Sequence, residues 1–344
     1  MRLKNIALTL LLFTSVSPSL SARSLPIPVS ATSVSADRLP DTKVRLGKVT
    51  VTKDVVYSTI PGYRPLLLDL YTPAGKGRRP LIVYIHGGSW TNGSKRSTAN
   101  FQDFPGVLAA LAGQGYTVAS VDYRLSSEAK FPAAVQDIKA AIRYLRANAN
   151  RYGIDRSRVA VWGASAGAHL AAMTAFTGDE ASLEPVDRSN PDQSDSVQAL
   201  VGWYGTYELP GMFRYAMSAP PVTGVPMSPE EASEITGPLN FFGCTMDGCP
   251  PEIFVKGSPI SFVDKHDPPT LLIHGTSDTR IPSEQSVELY NALKASGVKT
   301  DLLLIDRASH DWLGNNQKAT ASASRKAVAV TFDWLRKVFS EGGK

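Results

Sequence analysis

Short apolar runs alternate with longer amphipathic stretches along most of the chain, and that rhythm predicts its elements. Leu81-Ile82-Val83-Tyr84-Ile85, Tyr116 to Val121, Arg158 to Trp162, Gln198 to Tyr204, Thr270 to Ile273 and Asp301 to Ile305 are predicted strands. Their near-continuous apolar character fits a sheet covered on both faces. Phe101 to Gln114, Ala133 to Asn150, Ala166 to Phe176, Ser283 to Ala295 and Ser322 to Phe339 read as helices between them. Strand and helix in turn give an α/β fold with a mostly parallel, doubly wound sheet. Ahead of this body, Val44 to Ser58 and Tyr63 to Tyr71 are β-rich and separated by a Pro61-Gly62 turn signal, which predicts an antiparallel entry hairpin.

Three stretches break the rhythm. The chain opens with Arg2 and Lys4, an apolar run from Ile6 to Phe13 and small residues to Ala22. That is the pattern of a cleaved secretory signal peptide over 1–22, and its run is far shorter than the roughly 20 residues of a spanning helix. Residues 23–43 are rich in Ser, Pro, Ala and Val without periodicity and read as a flexible linker, leaving 44–340 as one α/β domain. From 206 to 258 Pro, Gly, Met and aromatics crowd together over too great a length for a plain loop. A lid over a pocket is expected there, the alternative being a surface excursion.

With 43% hydrophobic and 19% charged residues the composition is that of a globular protein. The net charge of +5 includes Arg2 and Lys4, so the chain without its leader is only mildly basic, and no cluster argues for nucleic acid. Export implies an oxidising compartment, secreted or periplasmic. The two cysteines, Cys244 and Cys249, are therefore expected to form a local disulfide. A zinc site lacks further ligands nearby.

The candidate chemistry begins where Arg158 to Trp162 runs into Gly163-Ala164-Ser165-Ala166-Gly167 and a helix follows. The five-residue pattern alone is weak; between strand and helix it marks a tight turn that lifts a serine oxygen above the sheet. Such a hydroxyl needs a base. Of the five histidines, His310 follows the last predicted strand in a loop free to reach over the strand ends; His169 reads as packing behind the serine, His274 as structural and His266 as solvated loop. Asp278, in the loop after Thr270 to Ile273, is the expected carboxylate partner, with Asp306 and Asp311 as rivals. His86-Gly87-Gly88-Ser89-Trp90 closes another strand, and amides of Gly87, Gly88 and Ala166 are the expected oxyanion donors.

Those segments, with Asp122-Tyr123-Arg124-Leu125, Phe131-Pro132 and Gln136-Asp137, resemble the α/β-hydrolase superfamily. The likeness is to its branch with an HGG-type oxyanion loop, which holds hormone-sensitive-lipase-like esterases and relatives of feruloyl and acetyl-xylan esterases. Ser89 in place of a third glycine, and Ser126-Ser127-Glu128 in place of an Ala-Pro continuation, are closer to the feruloyl-esterase-like relatives. The resemblance implies an α/β-hydrolase fold over roughly Tyr63 to Phe339 and a secreted serine carboxylic-ester hydrolase. Ser165 would attack, His310 act as base and Asp278 orient it, with no metal or organic cofactor. Small or aromatic acyl esters, such as acetyl or feruloyl groups on polysaccharides, are the expected substrates; an amidase or peptidase, or a non-catalytic binding protein, are the alternatives. Trp90, Trp203, Tyr204 and Trp312 lie near strand ends or site residues and are expected to wall the pocket, the alternative being core packing.

Overall fold

The computed structural model describes residues 43–178, 180–187, 189–218, 229–245 and 248–341, all within one unit, Asp41–Lys344. The expected signal segment and nearly all of the 23–43 linker lie outside the described residues. In chain order the elements are β1 (Lys43–Leu46), β2 (Val49–Ser58), β3 (Leu66–Pro73), β4 (Arg79–Ile85), α1 (Phe104–Gly113), β5 (Thr117–Val121), α2 (Ala133–Ala147), α3 (Ala149–Tyr152) and β6 (Ile154–Ala164). There follow α4 (Ala166–Phe176), β7 (Ala199–Trp203), α5 (Leu209–Ser218), α6 (Pro229–Phe242), α7 (Pro251–Lys256), β8 (Thr270–Gly275), α8 (Glu284–Ala295), β9 (Thr300–Ile305) and α9 (Gln317–Glu341).

One sheet runs β1-β2-β3-β5-β4-β6-β7-β8-β9. Pairings up to β3 with β5 are antiparallel, and every later pairing is parallel. Strands β5, β7 and β8 are buried at every position, which is why they read as unbroken apolar runs. Successive residues face opposite layers. Leu81, Val83 and Ile85 of β4 pack with Val135, Ile138, Leu170 and Leu289 from α2, α4 and α8. Ile82 and Tyr84 pack on the other face with Leu108, Leu111 and Leu335 from α1 and α9. Each such buried aliphatic side chain contributes about 1.5–3 kcal/mol of transfer free energy, so the two layers hold the sheet between them. This is the α/β-hydrolase architecture.

Several boundaries differ from expectation, and three have a clear reason. The β-rich segment Val44 to Ser58 is two strands folded back at Gly47 and Lys48, where the apolar positions switch from even (Val44, Leu46) to odd (Val49, Val51). The predicted helix Ala133 to Asn150 divides at Asn148 into α2 and α3. Helix α9 begins ahead of Ser322, since the exposed polar turn at its start carries no apolar stripe to announce it. Where a lid was expected, α5, α6 and α7 lie between β7 and β8, and Cys244 is bonded to Cys249 between the last two. Among the described residues no helix is long and apolar enough to cross a membrane.

Candidate active site

The parallel strands end on one side of the sheet, and the loops leaving β4, β6, β8 and β9 meet there. Ser165 occupies the sharp turn from β6 into α4, with φ 55° and ψ −125°. A non-glycine residue in that region costs about 1–3 kcal/mol, offset here by fixed partners. Its N–H donates to the Trp203 carbonyl at 2.9 Å, and its carbonyl accepts from the Ala168 N–H at 2.8 Å. The flanking glycines are steric necessities: a Cβ on Gly163 would stand 2.1 Å from the Gly167 carbonyl oxygen, and one on Gly167 2.2 Å from that of Ile85.

His310 arrives from the loop after β9 and Asp278 from the loop after β8. The two loops are laced together, with the Ser277 N–H on the Ala308 carbonyl at 2.9 Å and the Thr276 N–H on that of Ile305 at 3.0 Å. The imidazole Nε2 lies 3.1 Å from Ser165 Oγ, and Nδ1 lies 2.7 Å from Asp278 Oδ2. A carboxylate only accepts, so Nδ1 carries the hydrogen and Nε2 is left to take the serine proton. Burial alone would raise the Asp278 carboxyl pKa, but the charge of His310 and hydrogen bonds from His274 and His310 hold it well below the ordinary range. Burial works against protonating His310, and the Asp278 carboxylate outweighs it, lifting the imidazole above the usual histidine value. Of the rival carboxylates, Asp306 stands largely in solvent and Asp311 points into the cleft described below.

Gly87 and Gly88 line the space over Ser165. A Cβ on Gly87 would stand 2.8 Å from the Ala164 carbonyl oxygen and 3.2 Å from Ser165 Cβ, so only glycine lets this backbone come so near the serine. Among the described residues no acceptor takes the N–H of Gly87 or Gly88, and Ala166 is the first residue of α4, whose N–H has no partner within the helix. The loop rests on buried polar groups. The Tyr123 hydroxyl donates to the His86 carbonyl at 3.0 Å, the rings of Tyr123 and His86 stack 4.4 Å apart, and His86 Nδ1 lies 2.7 Å from the Gly87 carbonyl oxygen. Beside it, Arg124 binds Asp137 of α2 at 2.7 Å with both side chains buried. Losing one member of such a pair typically costs about 3–5 kcal/mol. The Asp122 to Leu125 and Gln136-Asp137 segments thus support the site without entering it.

Two cavities flank Ser165. A cleft of about 370 Å³ is lined by Gly87, Gly88, Asn92, Ser97, Thr98, Ala99, Tyr204, Arg280, Asp311 and His310. On the other side lies a recess of about 10 Å³, lined by Ser89, Trp90, Ala166, Thr206, Met212, Pro238 and Ile281. That is room for about one water-sized group. Trp90 and Tyr204 therefore line one cavity each. Trp203 and Trp312 line neither, contrary to expectation: both are fully buried, packed on each other with ring centroids 5.3 Å apart, and the Trp203 indole donates to Thr331 of α9 at 3.0 Å. Met212, Pro238, Ile281 and Arg280 were not foreseen. Arg280 and Ile281 lie within three residues of Asp278, the one signal that pointed to them.

His169 holds the recess wall in place. Its Nε2 lies 2.7 Å from the Gly257 carbonyl oxygen and so carries the hydrogen, while Nδ1 accepts the Trp90 indole N–H at 3.3 Å. Complete burial pushes its pKa down to about 4, with the Gly257 carbonyl opposing. Among the described residues no group of three or more His, Cys, Asp or Glu side chains is placed to hold a metal ion.

Comparison with known proteins agrees with this architecture. Esterase LipC of Mycobacterium tuberculosis is 33% identical over 217 residues, which are 63% of this chain and 48% of that protein. Esterase LipQ of the same organism is 32% identical over 254 residues, 72% of this chain and 54% of that one. The chain spans about half the length of these curated relatives. A truncated carbohydrate esterase from gut microbiota superposes with TM-score 0.65 at 25% identity, covering 87% of this chain and 98% of that one. An esterase from the Planctomycetes species Thermogutta terrifontis superposes with TM-score 0.64 at 24% identity, covering 83% and 92%, a likeness of fold. The chain belongs to the BD-FAE family, whose model matches residues 68–293, from within β3 to within α8.

Proposed function

We propose that this protein is an exported serine carboxylic-ester hydrolase that removes a short acyl group from a polar, sugar-like alcohol. The observation that carries the reading is the line of contacts from Ser165 Oγ through His310 to Asp278, at 3.1 and 2.7 Å. In the first step His310 takes the hydroxyl proton as Ser165 forms a bond to the ester carbonyl. The Gly87, Gly88 and Ala166 amides face the developing oxyanion, and the imidazolium then protonates the departing alcohol. Water, deprotonated by the same histidine, releases the acid in the second step.

The two cavities assign the halves of the substrate. The leaving oxygen must come within reach of His310 Nε2, and His310 lines the wide cleft and not the recess. The alcohol therefore occupies the cleft, whose Ser, Thr, Asn, Arg and Asp side chains suit hydroxyl groups. The acyl group enters the recess, which favours an acetyl methyl over a feruloyl ring. Similarity to a carbohydrate esterase supports a glycan alcohol. Export rests on the leader-like pattern of the first 22 residues together with the Cys244–Cys249 bridge.

The test is hydrolysis of acetyl to decanoyl esters, a feruloyl ester and a matching amide by the parent and by Ser165→Ala. The parent is expected to favour the acetyl ester, and the variant to lose about 10⁴–10⁶-fold in kcat. Equal turnover by the two proteins overturns the nucleophile assignment. Preference for feruloyl overturns the recess as acyl site, and preference for the amide overturns the ester reading.

A further inference from the structure

The carboxylate of Asp278 is held by more than its partner in the proposed triad. Its Oδ1 accepts the N–H groups of Arg280 at 3.0 Å and Ile281 at 2.9 Å. Its Oδ2 accepts from His310, and a second imidazole, that of His274, stands on the same oxygen with Nε2 at 3.2 Å. An ionised carboxylate offers about four lone-pair sites, so these four donors saturate it.

His274 belongs to β8, four residues before Asp278, and its side chain is wholly buried. Its Nε2 faces two oxygens that only accept, Asp278 Oδ2 and the Ile281 carbonyl at 2.9 Å, so Nε2 must carry the hydrogen. In the neutral ring Nδ1 is then an acceptor, and the group beside it is the Ser286 hydroxyl of α8 at 2.7 Å, which must donate. Ring orientation and tautomer are thereby fixed from outside the cleft.

We propose that His274 is a positioning residue for the hydrolytic reaction, acting through Asp278, and that Ser286, by donating to its Nδ1, holds the ring in that orientation. This rests on the Ser165, His310 and Asp278 assignment proposed above. The second N–H on Oδ2 keeps the carboxylate from rotating off His310 and draws part of its charge away from that ring. Without it the charge on Oδ2 concentrates toward His310, whose imidazolium becomes easier to form and slower to give up its proton. The other titratable or charged groups facing this pair are Asp311 and Arg280 beside His310, and Tyr204, whose ring lies 4.7 Å from that of His310. Tyr215 faces Asp278. A change at His274 leaves all of these in place.

The experiment compares the full-length protein with His274→Phe, His274→Gln and Ser286→Ala. Each preparation is counted by active-site titration with a phosphonate ester, and kcat, KM and the pH profile are taken on an acetyl ester. His274→Phe should lower kcat per titrated site by about 10–100-fold with KM nearly unchanged, the range typical of lost orienting partners. It should also move the acid limb of kcat/KM upward by about half a pH unit or more. His274→Gln, whose amide can still donate to Oδ2, should restore the limb and most of the rate. Ser286→Ala should show the same shift at a smaller size, and it keeps the proposal testable if His274→Phe fails to fold. An unmoved limb and unchanged kcat per titrated site in Ser286→Ala and in every folded His274 variant would overturn the proposal. Phosphonate labelling that does not fall on Ser165 would instead overturn the underlying assignment, a separate and recognisable outcome.

Discussion

The two sides of Ser165 are built differently. Toward His310 the surface is open and polar, with a volume of about 370 Å³, and its walls come from loops after β4, β7, β8 and β9. Away from it the recess holds about 10 Å³, and its walls are Trp90, Met212, Pro238 and Ile281, with Met212 and Pro238 on the helices inserted after β7. On the proposed mechanism the strand-end loops supply the chemistry, and the inserted helices, together with Trp90 and Ile281, supply the limit on size. Six of the ten non-glycine residues with positive φ among the described residues, Ser89, Trp90, Ala99, Ser165, Tyr204 and Asp311, line these two cavities. Local strain is thus concentrated where the two sides meet.

The largest expected effect treats both sides alike. Asp278→Asn leaves His310 without a fixed tautomer and should lower kcat by about 10⁴-fold on every ester, whatever its acyl group or alcohol. A loss that depends on the alcohol would break the division of labour between the cavities. On the proposed mechanism the parent's activity requires neutral His310, whose pKa Asp278 raises, so the rate should fall with acid from a midpoint above the usual value of about 6.5. The same raised pKa contributes stability below about 6.5 that is lost as pH rises through the folded value, whereas the depressed Asp278 contributes above about 3.9 and is lost on acidification.

Next in size is the acid sensitivity of the recess wall. His169, with its pKa pushed down to about 4, binds fewer protons in the folded than in the unfolded state between about 4 and 6.5. Stability should therefore decline as pH falls across that window, by about 3 kcal/mol at most. Urea melts at pH 7 and pH 4.5 would show it, and His169→Gln should flatten the slope. A slope equal in the two proteins would separate His169 from acid unfolding.

Opening the recess comes third. Met212→Ala or Ile281→Ala should raise the butyryl-to-acetyl ratio of kcat/KM by about tenfold, the scale of one or two methylenes in an apolar pocket. An unchanged ratio would move the acyl group elsewhere. The smallest effect is at the cleft, where Ser97→Trp should raise KM for an acetylated oligosaccharide by about fivefold, near 1 kcal/mol, and leave phenyl acetate untouched. Equal changes on both substrates would show that the cleft does not read the alcohol.

Much of this was legible in the sequence because a parallel sheet sends its strand ends one way. Ser165, Asp278 and His310 each follow a strand, so chain position alone places them on the same edge. Trp203 and Trp312 show where that reasoning stops. Both adjoin site residues in sequence, yet the backbone turns their side chains into the core layer against α9. The recess walls Met212 and Pro238 lie in a stretch without periodicity, where nothing local tells which side chain faces the serine. His274 reads as an interior strand residue, and its tie to Asp278 depends on α8 and the Ile281 carbonyl being brought beside it.

The sheet order also bears on when activity arises during synthesis. Ser165 and His310 are 145 residues apart, and β9, which carries the His310 loop, lies at the outer edge beyond β8. At about 5–20 residues per second the ribosome needs roughly 7–30 s to pass from one to the other. Through that interval the Ser165 segment has been made and the His310 segment has not. On the proposed mechanism, a chain still being made or threaded through an export channel carries no esterase activity, and competence arrives only when the last strand is laid on the edge.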